Sequence, residues 1–76
     1  MFLKPVKTAQ IEVDGRSYSL CYYESTTARG LRRFSCEVLL NATDRFIVDD
    51  DTLSGLESRV ERLAPATIYS RLLAAS

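Results

Sequence analysis

The chain has 76 residues, ten of them basic and ten acidic, for zero formal charge. That balance excludes a protein held to nucleic acid by its overall field, and 46% hydrophobic with 26% charged residues excludes a disordered tail. A chain of this length forms one domain over residues 1–76 and buries roughly 60% of its unfolded surface, a thin stability margin that self-association would widen.

Charge is slightly segregated. Residues 1–48 hold seven basic and five acidic groups, and 49–76 hold three and five, which leaves room for a local basic patch. Met1-Phe2-Leu3-Lys4-Pro5 is too short for a signal-peptide core, and no run approaches membrane-spanning length. Two cysteines without a framework pattern suit a reducing, cytoplasmic setting.

In chain order, residues 1–6 read as a loose or edge-docked lead-in, with Pro5 holding Lys4 extended. From Lys7 the apolar period is two: Ala9, Ile11 and Val13 alternate with Thr8, Gln10 and Glu12, which predicts a half-buried strand. Asp14-Gly15 follows, and a type I′ turn needs positive φ at both central residues. Arg16 to Tyr23 is then the return strand. A two-residue loop sets Val13 opposite Arg16, Ile11 opposite Tyr18 and Ala9 opposite Leu20, so the apolar members of both strands share one face.

Glu24 to Leu31 reads as a polar connection too long for a tight hairpin. Arg32 to Leu40 is a third strand, with Phe34, Cys36, Val38 and Leu40 inward and Arg33, Ser35, Glu37 and Leu39 outward. Asn41-Ala42-Thr43-Asp44 is turn chemistry, and Arg45-Phe46-Ile47-Val48 a short fourth strand.

The clearest helix spans 51–64. Leu53, Leu56, Val60, Leu63 and Ala64 make an apolar stripe, and Asp50, Asp51 or Thr52 can cap its start. Gly55 in the first turn costs about 1 kcal/mol relative to Ala. Pro65 should end this helix, and Ile68, Tyr69, Leu72 and Leu73 then predict a short second helix over 66–75. The expected fold is α+β: a three- or four-stranded antiparallel meander over 7–49, covered on one face by helical segment 51–75.

Catalytic chemistry is sparse. There is no histidine, and alternation sends Cys21 and Cys36 to opposite sheet faces, which predicts neither a disulfide nor a shared metal site. A nucleophilic thiol needs a base or a positive field, and Cys21 has only Ser17, Ser19 and Tyr23 beside it. Asp49-Asp50-Asp51 lacks the alternating ligands of a calcium loop, and helix capping accounts for it. The expectation is a protein that is not an enzyme and holds no cofactor or metal.

Binding residues are better represented. Arg29, Arg32 and Arg33 form the sharpest polar feature, with Arg45 a neighbour at the sheet end, and arginine forks suit phosphates while Tyr23 could stack a base. Tyr23 and Leu39 face outward from the sheet. The sequence therefore supports a non-enzymatic protein-binding or regulatory module, monomeric or homodimeric. It would act through its outward sheet face, a strand edge or the 24–31 loop. A small nucleic-acid binder using Arg29, Arg32 and Arg33 is the second reading.

Overall fold

The structure, a computed structural model, describes residues 3–75. Four strands, β1 (Leu3–Val13), β2 (Arg16–Thr26), β3 (Arg32–Leu39) and β4 (Arg45–Asp50), form an antiparallel sheet in the order β1-β2-β3-β4. One helix, α1 (Leu53–Ala75), covers one face. At 1.5 Å per residue its length of about 35 Å matches the long first hairpin. Of the three or four strands expected, the sheet has four, with Arg45–Asp50 as the last.

The β1–β2 hairpin has the expected register: Val13 faces Arg16, Ile11 faces Tyr18 and Ala9 faces Leu20. Asp14 and Gly15 have φ of 54° and 78°, the positive values that a two-residue turn requires. β1 begins earlier than its alternation suggests. Leu3, Lys4 and Pro5 pair with Ser25, Glu24 and Tyr23, and a register shift between Pro5 and Lys7 absorbs Val6. A bulge at this place lets a residue without an N–H sit on an edge strand. Met1 and Phe2 of the expected lead-in lie outside the described residues.

The 24–31 connection is shorter than expected. Glu24, Ser25 and Thr26 belong to β2 and pair with Phe34, Arg33 and Arg32. Polar composition there reflects strand ends that need no core face. What remains is a tight turn over Thr27 to Leu31, closed by Thr27 N–H to Leu31 O at 2.8 Å and Gly30 N–H to Thr27 O at 2.9 Å. Between β3 and β4, Asn41 Oδ1 accepts from the Thr43 and Asp44 amides, both at 2.9 Å. That side-chain turn returns the chain without a glycine.

The largest correction concerns Pro65. Among the described residues there is no second helix, because α1 runs through Pro65 unbroken to Ala75. The deciding residues are Leu56, Val60, Ala64 and Ile68, spaced four apart and each at most 1% exposed. Leu72 continues the series against the core. Breaking the helix at Pro65 would uncouple Ile68 and Leu72 from that face, and burying two large side chains outweighs one lost hydrogen bond. Leu63, expected in the apolar stripe, falls off this longer face and is 44% exposed.

Tyr18, Leu20, Tyr22, Cys36, Val38 and Val48 complete the core from the sheet. Exposed ion pairs fix the helix direction: Glu57 meets Lys7 of β1, Arg59 meets Asp50 of β4 at 3.4 Å, and Arg71 meets Asp44 before β4. Each such pair contributes at most about 1 kcal/mol, so they orient more than they stabilise.

Gly55 has a reason that propensity does not show. Thr52 is the helix cap, its Oγ1 accepting from the Gly55 amide at 3.0 Å. A Cβ on Gly55 would lie 2.8 Å from that oxygen and 3.2 Å from an Asp50 carboxylate oxygen. Gly55→Ala should therefore lower the melting temperature. The propensity gain of about 1 kcal/mol is offset by loss of a cap contributing about 1–2 kcal/mol, and a rise on thermal denaturation would show that Thr52 yields at no cost.

Candidate interaction surface

Because α1 covers one face, strand alternation leaves the opposite face of the sheet open. Its central rows follow from the register: Thr8, Cys21, Glu37 and Ile47 cross the sheet in one row, and Gln10, Ser19, Leu39 and Arg45 in the next. Tyr23, Ser35 and Asp49 form a third. Small side chains on β1 and β2 make an open depression of about 510 Å³ bordered by Thr8, Gln10, Ser19, Cys21 and Leu39. Ile47, 63% exposed, is the most prominent apolar group on this face, and Leu39 and Tyr23 are half-buried.

Two of the expected binding residues, Tyr23 and Leu39, thus share this face. Arg33 joins them near its lower end. The three arginines do not form one patch: Arg32 has the parity of the helix-covered face, Arg33 that of the open face, and Arg29 lies in the turn between β2 and β3. Arg32 pairs with Glu24, and Arg33 pairs with Asp51 and, at 3.5 Å, with Asp49. Arg29 has no ion pair among the described residues. Arg45, expected beside them, stands at the far end of β3 opposite Leu39 and pairs with Glu37 at 2.9 Å.

The acidic run is divided in the same way. Asp49 points to the open face, Asp50 to the helix side where it meets Arg59, and Asp51 reaches Arg33. Among the described residues no three acidic or thiol groups converge as metal ligands would.

Both cysteines are free, and they lie on opposite faces as alternation requires. Cys36 is fully buried opposite Tyr22. Burial pushes its thiol up to about 11, and burial together with the neighbouring Cys36 pushes the Tyr22 hydroxyl up to about 12. Both groups are neutral at any physiological pH, so Cys36 is a packing residue. Cys21, at the floor of the open depression, also raises the Tyr23 hydroxyl next to it, with partial burial adding to the effect. An alkylating reagent should modify one thiol per native chain, Cys21, and a second only in urea; thiol titration with mass mapping checks this, and native labelling of Cys36 would contradict its burial.

A second cavity, of about 270 Å³, opens where the end of α1 meets the sheet, lined by Arg16, Tyr18, Asp44, Ile68 and Arg71 among others. Among the described residues the Tyr18 hydroxyl has no hydrogen-bond partner, and it is shielded from solvent. No helix among the described residues is long and apolar enough to cross a membrane. Comparison with protein-family models, with curated proteins and with solved structures finds no match to this chain.

Proposed function

We propose that this protein is a small non-enzymatic protein-binding or regulatory module that engages its partner through the open face of the sheet. One observation supports this reading above others. A four-stranded sheet has a single covering layer, and its uncovered face carries Leu39, Ile47, Tyr23 and Cys21 among short polar side chains. Short side chains around a few apolar anchors allow a partner to approach the strands closely. The free thiols suit a reducing, cytoplasmic setting.

The nucleic-acid reading draws less support. Arg32 and Arg33 stand on opposite faces and both already meet carboxylates. The test is a tagged pull-down from the source lysate, with and without nuclease, using the native protein and Leu39→Ser. Protein retained through nuclease treatment and lost with Leu39→Ser supports the face. Material that vanishes with nuclease and ignores Leu39→Ser overturns it in favour of the arginines.

A further inference from the structure

We propose that the free edge of β4 pairs antiparallel with the same edge of a second copy of this chain, about a two-fold axis through Ile47. This extends the protein-binding reading from the sheet's face to its edge, and the two stand on separate residues. The sheet order leaves two edges, β1 and β4. β1 is interrupted by Pro5 and the bulge at Val6, with Lys4 and Lys7 on either side, the usual means of blunting an edge. β4 has no proline, no bulge and a regular ladder to β3 from Arg45 to Asp50.

Symmetry then selects one register. A two-fold axis normal to the sheet keeps both helices on one face, and residues directly opposite each other share a face. With the axis through Ile47, Arg45 meets the partner's Asp49 twice, Phe46 meets the partner's Val48 twice, and Ile47 meets itself. Asp50 falls opposite the partner's Asp44, a like-charge pair in which each carboxylate already has its own arginine, Arg59 for Asp50 and Arg71 for Asp44. Arg45 and Asp49 both belong to the open face, with side chains 63% and 65% exposed, and so retain free bonding capacity. Their existing partners extend the seam into an alternating row: Glu37, Arg45, then Asp49 and Arg33 of the second copy. Moving the axis to Phe46 sets Arg45 against Ile47, and moving it to Val48 sets Asp49 against Ile47 and Asp50 against Phe46. Both alternatives bring a charge against an apolar side chain. On β1, by contrast, Lys7 and Glu12 lie on opposite faces and cannot meet in any such register. The β4 contact closes on itself, so association stops at the dimer.

The experiment is sedimentation equilibrium over roughly 1 µM to 1 mM, a range that covers weak complexes. The native chain should pass from 8.6 kDa to twice that mass. R45D alone sets carboxylate against carboxylate and D49R alone sets guanidinium against guanidinium, and each should weaken association about tenfold or more. An equimolar mixture of the two variants restores both complementary pairs, so the mixed dimer should recover. Native protein that stays at chain mass throughout, or variants that gain nothing on mixing, would overturn the proposal. If either reversal fails to fold by circular dichroism, R45Q serves in its place, and association unchanged by R45Q is equally decisive against the seam. Leu39→Ser should leave the dimer intact while removing face-bound partners, so the two readings fail separately.

Discussion

Ile68→Ala should cost about 2–5 kcal/mol of folding stability, measured by urea unfolding. Ile68 is fully buried, contacts the core from the half of α1 beyond Pro65, and loses three carbons in the substitution. At roughly 0.05–0.15 kcal/mol per residue, a chain of this size has about 4–11 kcal/mol in total, so one truncation removes a large fraction. The same cost is expected at Leu56, one end of the same series. If the segment after Pro65 were a separate appendage, Ile68→Ala would cost under about 1 kcal/mol and Leu56→Ala would retain its full effect. Equal losses at the two positions are the signature of a single helix docked along its length.

The contrast between these positions marks what the sequence made legible. The first hairpin could be read because two signals, parity of apolar residues and the Asp14-Gly15 turn, point to the same register. The same parity placed Tyr23 and Leu39 on the open face and the two cysteines on opposite faces. Pro65 was misleading because its local rule is strong, and the packing that overrides it comes from strands far away in sequence. Leu63 entered the stripe because a short window fits several faces, and extension to Ile68 and Leu72 chooses among them. Glu24 to Thr26 read as loop because strand pairing with Arg32 to Phe34 leaves no mark on composition. Alternation alone separates Arg32 from Arg33, while the carboxylates that meet Arg33, at Asp49 and Asp51, depend on the closed β3–β4 hairpin. The thirteen-residue interval from Thr52 to Pro65 shows both limits at once, since the cap explains Gly55 only when the side chains are placed.

Pro65→Ala should stabilise the protein, by about 1–2 kcal/mol. A proline in a helix interior costs about 3 kcal/mol relative to alanine, through the missing N–H and the clash of its ring with the carbonyl four residues back. Here that carbonyl belongs to Glu61, an exposed residue, so water offsets part of the loss. Alanine restores the bond to Glu61 and removes the clash. Against this, proline narrows the unfolded ensemble by about 0.4–1 kcal/mol, and that contribution disappears on substitution. Pro65 is half-buried, so the substitution also gives up part of the packing of its ring, which keeps the net gain below the full propensity difference. For a domain of this size the net gain corresponds to a rise in Tm of roughly 5–15 °C by scanning calorimetry. A fall in Tm would mean that the ring supports α1 against the sheet more than its missing N–H weakens it, and the continuity of the helix would then owe something to the proline itself.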